Sequence, residues 1–173
     1  MKYGTIKYCD IANGTGVRTS LFVSGCTHMC RNCFNRDSWD FEYGEEFTPA
    51  VEKEILDSIA PSYISGLSLL GGEPMEPQNQ RALISLVREF KRRYPQKTIW
   101  CYSGYTYEKD FLAGGRAYTE VSAEMLDLMD IMVDGKYIDE LYDITLKFRG
   151  SSNQRIINLK ESRRKGEIVL WEE

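Results

Sequence analysis

The sequence predicts an α/β fold with a mostly parallel sheet, and three observations lead to this prediction. First, β-prone apolar runs alternate along the chain with stretches whose apolar residues recur at helical spacing, as in βαβ units. Second, several of these runs end in glycine or serine, where a loop is expected to begin. Third, 173 residues are few for a closed eight-unit barrel of about 250 residues. A partial, open barrel or an open sheet therefore fits better.

The same patterns assign the elements in order. Thr48-Pro49 begins the first helix, because proline favours the first helical turn. The predicted helices are residues 49–60, a second one carrying Leu83, Ile84, Leu86, Val87 and Phe90, and residues 123–129. The predicted strands are residues 19–23, 67–70, 98–102, 131–133 and 155–159, with residues 168–171 as a terminal edge strand.

Composition and charge argue against several classes of protein. The chain is 42% hydrophobic and 28% charged, which is ordinary for a folded globular protein. No segment approaches the roughly 20 apolar residues of a membrane span, and residues 1–10 lack the apolar run of a secretory signal. A net charge of −4 argues against a nucleic-acid partner. We therefore expect a cytoplasmic protein that forms a single domain over residues 1–173, without nucleic-acid or membrane partners.

Three of the five cysteines lie within eight residues, directly after the first predicted strand. Cys26, Cys30 and Cys33 have the spacing C-x3-C-x2-C. Three thiolates can hold a 4Fe-4S cluster and leave one of its four irons open to another ligand. The alternative is a structural zinc site, which normally requires four protein ligands, and spacing alone does not identify the metal. The residues left to supply a fourth zinc ligand are His28, Cys9 and Cys101.

A second motif, Gly71-Gly72-Glu73-Pro74, follows the second predicted strand. Glycines let the backbone approach a ligand closely. Strand-end carbonyls and the Glu73 carboxylate can accept hydrogen bonds from an ammonium group. The segment therefore suits an amino-acid ligand. On its own it is equally typical of a turn in which glycine supplies backbone freedom and proline stops the strand.

Together, the cysteine spacing and the GGEP segment resemble the radical S-adenosylmethionine superfamily, whose members carry these two loops in this order. The resemblance implies a partial, open (β/α) barrel and a 4Fe-4S cluster held by Cys26, Cys30 and Cys33. It also implies that the amino and carboxylate groups of S-adenosylmethionine chelate the open iron. An electron from the reduced cluster would then break the S–C5′ bond, yielding methionine and a 5′-deoxyadenosyl radical.

A narrower resemblance covers almost the whole chain, which is similar to the activating proteins of anaerobic ribonucleoside-triphosphate reductases. Residues 130–137 (DIMVDGKY) and 148–157 (FRGSSNQRII) best distinguish these proteins from other glycyl-radical activases. Other matching segments are residues 16–26, 33–35, 71–74 and 102–106. This resemblance implies that the partner is a large anaerobic ribonucleotide reductase subunit carrying the target glycine. An electron donor such as flavodoxin or ferredoxin would be the second partner.

The resemblance also implies further contacts to S-adenosylmethionine. Ser103 ends the third predicted strand, and Asp134 and Lys136 follow the fourth. A hydroxyl and a carboxylate suit ribose hydroxyls, and an ammonium suits a carboxylate. Each of the three is equally typical of ordinary structure, as a strand end, a turn or a solvated side chain. The polar segment 149–154 is expected to orient adenine, contact the protein partner or form a hydrogen-bonded loop.

Three classes of function follow from these motifs. The first is an activase that removes a hydrogen atom from a glycine of anaerobic ribonucleotide reductase. The second is a related radical enzyme that acts on a small metabolite or on another glycyl-radical enzyme such as pyruvate formate-lyase. The third is a zinc-binding interaction module. The short chain favours a protein substrate, because little sequence remains to build a lid and a partner could exclude water instead.

The cysteine assignment predicts the outcome of single substitutions. Cys26→Ala, Cys30→Ala and Cys33→Ala should each abolish reconstitution of an intact 4Fe-4S cluster, because each removes one of three thiolate ligands. Cys9→Ser and Cys101→Ser should retain most of it. Iron and sulfide per chain after anaerobic reconstitution provide the measurement. Four irons retained after loss of any member of the triad would contradict the assignment.

Overall fold

The computed structural model describes residues 1–172, which form seven β-strands and five α-helices. The strands are β1 (Lys2–Asp10), β2 (Val17–Val23), β3 (Glu45–Glu46), β4 (Ile64–Gly71), β5 (Thr98–Tyr102), β6 (Ile131–Asp134) and β7 (Arg155–Asn158). The α-helices are α1 (Pro49–Ser58), α2 (Pro77–Arg93), α3 (Tyr107–Asp110), α4 (Ser122–Leu128) and α5 (Leu159–Lys165). Short 3-10 turns cover Arg36–Trp39 and Asp139–Leu141.

All seven strands belong to one mixed sheet in the order β3-β1-β2-β4-β5-β6-β7. The centre is parallel: β2 pairs with β4, β4 with β5, and β5 with β6. Both sides are antiparallel, because β1 pairs with β2 and β3, and β7 pairs with β6. Strands β3 and β7 lie at opposite ends of the order, so the sheet is open.

The prediction of a mostly parallel sheet was therefore wrong, since only three of the six pairings are parallel. The reason lies in the connections. Helices α1, α2 and α4 carry the chain back between successive central strands, as parallel pairing requires. Only residues 11–16 separate β1 from β2, and no α-helix separates β6 from β7. The chain therefore reverses direction at these two places.

The individual elements agree well with the sequence patterns. Thr48 caps α1, where its hydroxyl accepts a hydrogen bond from the Val51 N–H at 3.4 Å. The apolar residues whose spacing predicted α2 are all buried in the structure: Leu83, Ile84, Leu86, Val87 and Phe90. Strand β1 was not predicted, because most of its side chains are at least partly exposed and show no apolar alternation. The terminal segment 168–171 forms only an isolated bridge, between Leu170 and Ile157.

The two faces of the sheet carry different side chains, because successive strand residues point to opposite sides. One face packs against the helices and holds the main core, for example with Leu21, Leu69 and Met132. The other face carries buried polar side chains on β2 and β4, namely Arg18, Ser20 and Ser68, and apolar side chains on β5, β6 and β7. It holds a smaller cluster around Trp100. The described chain contains no helix that is long and apolar enough to cross a membrane.

Arg18 is fully buried on this second face, and burial lowers the pKa of its guanidinium to about 10. It remains charged at neutral pH. Its donors reach Ser68 Oγ at 2.8 Å, Leu67 O at 2.8 Å and Thr98 O at 2.7 Å. The guanidinium also lies over the Trp100 ring, 5.8 Å from its centroid. Arg18 thus joins β2, β4 and β5 from inside the open sheet.

Arg18→Met should lower the free energy of unfolding by about 3 kcal/mol or more. It removes the donors from several buried acceptors, and each unsatisfied group costs about 1–3 kcal/mol. Arg92→Met on the exposed face of α2 is the matched control and should change stability by less than about 0.5 kcal/mol. Urea unfolding of the full chain followed by tryptophan fluorescence provides the measurement. Equal effects of the two variants would contradict this role for Arg18.

Candidate functional site

A cavity of ≈ 470 Å³ lies at the carboxyl ends of the parallel strands. Its walls come from the loops that follow β2, β4, β5 and β6. In sheets of this kind, ligands bind beyond the carboxyl ends of the strands, and a volume of roughly 300–1,000 Å³ is typical of small-molecule sites. The cavity is therefore the candidate site.

The three predicted cysteine ligands all line this cavity. Cys26, Cys30 and Cys33 lie in an irregular loop after β2 and are each partly buried. The loop turns tightly, since the Cys33 N–H donates to Cys30 O at 3.2 Å. Met29 and Asn32 adopt left-handed backbone conformations with φ of 49° and 56°. Beyond the cavity, Cys9 is exposed and Cys101 is buried in β5.

Burial and neighbouring charges act on these thiols. Burial raises the pKa of Cys26 to about 12 and also raises the pKa of Cys30. Opposing this, the backbone N–H groups of His28 and Tyr137 lower the pKa of Cys26 and Cys30 respectively, and the charge of Lys136 also lowers the pKa of Cys30. Hydrogen bonds to cysteine sulfur stabilise the thiolate that binds iron, and they tune the cluster that it holds.

The three thiols fit the donor set of a 4Fe-4S cluster, which has four irons and can be held by three cysteines. Among residues 1–172, no three His, Cys, Asp or Glu side chains lie close enough together to hold a single metal ion. A cluster instead binds each thiolate to a different iron, so its ligands are spread around it. Three cysteines around one cavity match that requirement.

The GGEP segment packs directly against the start of the cysteine loop. The Gly72 N–H donates to Val23 O at 2.7 Å, and the Glu73 N–H donates to Gly25 O at 2.9 Å. Gly71 has a φ of 109°, a positive value that glycine adopts more easily than other residues. Gly71, Gly72 and Glu73 line the cavity, whereas Pro74 is buried outside its lining.

Glu73 is only 1% exposed, and its carboxylate is largely occupied by the protein. Its Oε2 lies 2.8 Å from His28 Nε2 and accepts from the Gly104 N–H at 2.7 Å. Its Oε1 accepts from the Met75 N–H at 2.8 Å. The only histidine of the chain is therefore paired with a carboxylate. It also stacks edge-on against Tyr105, with ring centroids 4.4 Å apart.

Sequence reasoning did not identify Glu76, a second buried carboxylate near the cysteine loop. Its Oε1 accepts from the Thr27 N–H at 2.8 Å and from the Thr27 hydroxyl at 2.6 Å. The only signal in the sequence was its position three residues after Glu73, just before α2, where an acidic residue also complements the helix dipole.

The other predicted contact residues lie at different distances from the cavity. Ser103 lines it, and its Oγ accepts from the Tyr105 N–H at 3.1 Å. Asp134 is buried outside the lining, where its carboxylate accepts from Arg155 Nε and from the Tyr107 N–H, both at 2.9 Å. Lys136 is exposed beside the cysteine loop. Contact between these three residues and S-adenosylmethionine stays a prediction.

The polar segment 149–154 forms a hydrogen-bonded loop against the segment after β6. Gln154 Oε1 accepts from the Gly150 N–H at 2.9 Å, and its Nε2 donates to Gly135 O at 3.0 Å. Arg149, Gly150 and Gln154 also line the cavity. The two segments that best define the narrower resemblance therefore form one wall of the site.

Comparison with known proteins agrees with this site. Residues 12–157 match the family described as a 4Fe-4S single cluster domain. Three similar proteins are each named anaerobic ribonucleoside-triphosphate reductase-activating protein. The one from Enterobacteria phage T4 is 41% identical over 156 residues, covering 90% of this chain and 93% of that protein. The one from Escherichia coli K12 is 36% identical over 162 residues, covering 92% and 100%. The one from Haemophilus influenzae is 39% identical over 153 residues, covering 87% and 94%.

The close packing of the two loops predicts the effect of a single methyl group. A Cβ at Gly72 would lie 2.7 Å from Gly25 O and 2.8 Å from Ser38 O. Gly72→Ala should therefore lower the free energy of unfolding by about 1–3 kcal/mol and reduce the yield of reconstituted cluster. Urea unfolding, together with iron and sulfide per chain, measures both effects.

Gly114→Ala provides the control for this prediction. No atom lies within 4 Å of a Cβ at that position, so only its φ of 88° causes strain. It should leave the cluster yield unchanged. A normal cluster yield in Gly72→Ala would contradict the packing argument.

Proposed function

This chain belongs to the family of anaerobic ribonucleoside-triphosphate reductase-activating proteins, and on that premise we propose that it generates a glycyl radical on such a reductase. The partner is the large reductase subunit that carries the target glycine. One observation carries the proposal: the three cysteines and the Gly71-Gly72-Glu73 part of the GGEP segment line the same cavity at the carboxyl ends of the parallel strands. The fold brings together the two motifs on which the resemblance rests.

In this proposal, Cys26, Cys30 and Cys33 would hold a 4Fe-4S cluster. When bound and reduced, the cluster would supply the electron that splits S-adenosylmethionine into methionine and a 5′-deoxyadenosyl radical, and this radical would take a hydrogen atom from the reductase glycine. The cavity residues proposed to contact S-adenosylmethionine are Gly71, Gly72, Glu73 and Ser103. Pro74 and Asp134 are buried outside the cavity lining and support its walls. Lys136 is exposed beside the cysteine loop and borders the site.

The residues of the chain bind, orient and shield the reactants. Gly71 and Gly72 allow backbone carbonyls to approach the ammonium group of S-adenosylmethionine. A carboxylate offers about four acceptor sites. Hydrogen bonds from His28, Met75 and Gly104 occupy three of those of Glu73. One site thus remains for the ammonium group. Aromatic rings of Tyr102 and Phe148 line the cavity and help to exclude water from the reactive centre.

The mouth of the cavity suits a protein substrate. Phe34, next to the third cysteine, is 92% exposed, and Tyr142 is 57% exposed. Both residues line the cavity. Exposed apolar patches often mark surfaces that a partner covers. We propose that the reductase covers this mouth and that a flavodoxin or ferredoxin reduces the cluster. A pyruvate formate-lyase activase or a metabolite-modifying enzyme is not favoured, given the names of the relatives.

The proposal predicts a specific radical signal. The protein, reduced anaerobically with S-adenosylmethionine, should install a glycyl radical on its cognate reductase. Electron paramagnetic resonance should show a doublet only when both proteins are present, because the glycine α-hydrogen causes the dominant splitting. Deuteration of that α-carbon should collapse the doublet, and the same mixture should gain ribonucleotide-reducing activity.

A cluster-free Cys30→Ala variant is the control and should give no doublet. If the reduced protein cleaves S-adenosylmethionine but forms a radical only on pyruvate formate-lyase, the reductase is not the substrate. If it cleaves no S-adenosylmethionine with an intact, reduced cluster, the radical chemistry itself is wrong.

A further inference from the structure

We propose that Glu73 and Glu76 are positioning residues that hold the cysteine loop in the geometry needed for cluster binding. This inference rests on the proposed 4Fe-4S site. It assigns a role to Glu76, and it gives Glu73 a second role besides contact with S-adenosylmethionine. The two carboxylates are referred to below as the loop clamp.

The clamp contacts the two residues that directly follow Cys26. Glu76 Oε1 accepts hydrogen bonds from the Thr27 N–H at 2.8 Å and from the Thr27 hydroxyl at 2.6 Å. Glu73 Oε2 lies 2.8 Å from His28 Nε2. Both carboxylates are buried, and hydrogen bonds to a charged acceptor are stronger than neutral ones.

The position of His28 bears directly on a proposed iron ligand. His28 lies two residues after Cys26, and its ring is held by Glu73 and by Tyr105. The loop has no regular secondary structure between Ser24 and Cys30. Backbone hydrogen bonds from the Gly25 N–H to Ser38 O at 2.8 Å and from the Cys26 N–H to Trp39 O at 3.2 Å hold the start of the loop. The side-chain anchors hold the two residues that follow Cys26.

The clamp is itself anchored in rigid structure. The Asn79 side chain, in the first turn of α2, donates to Ser24 O and to Glu73 O, both at 2.9 Å. Glu73 also accepts from the N–H of Gly104, in the loop after β5. A Cβ on Gly104 would lie 2.6 Å from the His28 ring, so this loop confines the ring. The cysteine loop is thus held by elements on both sides of the cavity.

The two carboxylates differ in a way that separates the clamp from ligand binding. Glu73 lines the cavity, whereas Glu76 does not. A loss caused by substitution of Glu76 therefore reports on the loop and not on a direct contact with S-adenosylmethionine. Likewise, cluster behaviour in the absence of S-adenosylmethionine reports on the clamp alone.

The test uses full-length protein, reconstituted anaerobically without S-adenosylmethionine. Glu76→Ala and His28→Phe each remove one contact of the clamp, and His28→Phe keeps an aromatic ring against Tyr105. Glu76→Gln and His28→Gln are the conservative partners, because their amides retain an acceptor for Thr27 or a donor for Glu73. Glu120→Ala is the control, since it removes an exposed carboxylate that binds Arg81.

Three quantities are measured for each variant: the rate of iron loss to a chelator, the electron paramagnetic resonance spectrum of the reduced cluster, and the melting temperature of the apo protein. Glu76→Ala and His28→Phe should lose iron about tenfold faster or more, the effect of losing a charge-assisted hydrogen bond, and should show altered spectra. Glu76→Gln and His28→Gln should restore most of the wild-type behaviour. Glu120→Ala should match the wild type.

Wild-type rates and spectra in Glu76→Ala and His28→Phe would overturn the proposal. It would also be overturned if faster iron loss simply followed a lower apo melting temperature, or if the glutamine variants gave no rescue, since the carboxylates would then serve only general stability. Failure of the wild-type protein itself to hold a 4Fe-4S cluster would instead refute the proposed function. The two failures are therefore distinguishable.

Discussion

The site depends on the parallel pairing of β2 with β4 and on its continuation beyond the strands. The register runs from Val17 opposite Ile64 to Val23 opposite Gly71. It then continues as backbone hydrogen bonds from Gly72 to Val23 and from Glu73 to Gly25. Because the backbones meet here, residue 72 has no room for a side chain. The cysteine loop and the GGEP loop leave the sheet at this point and wall one cavity.

Electrostatics at this junction involve a compromise. Burial raises the pKa of Cys26, and negative charge on Glu73 and Glu76 raises it further, which opposes formation of the thiolate that binds metals. The same two carboxylates fix the residues that follow this cysteine. The neighbouring cation Lys136 and two backbone N–H groups act in the opposite direction on the thiols. In the proposed site, cluster binding would therefore have to offset the desolvation of the thiols, and the surrounding protein supplies order in the loop.

The structure also changes how the predicted ligand contacts are understood. Asp134 has its carboxylate occupied by Arg155 and by the Tyr107 N–H, so its first role is to join β6 to β7 and α3. Glu73 combines a position in the cavity wall with three hydrogen bonds to the protein. A buried carboxylate needs such partners, and residues near a ligand often acquire them from the surrounding loops.

The sequence by itself determined the features that are local along the chain. The cysteine spacing and the GGEP segment are short motifs that can be read directly. The central alternation of strands and helices follows from apolar patterns with periods of about 2 and 3.6 residues. The tertiary structure decided the antiparallel pairings at both sides of the sheet, because β1 is mostly exposed and has no apolar alternation. It also decided the contacts of Thr27 and His28, which join residues 49 and 45 positions apart. Which donor reaches a buried carboxylate depends on how the strands bring distant loops together, and no local pattern encodes that.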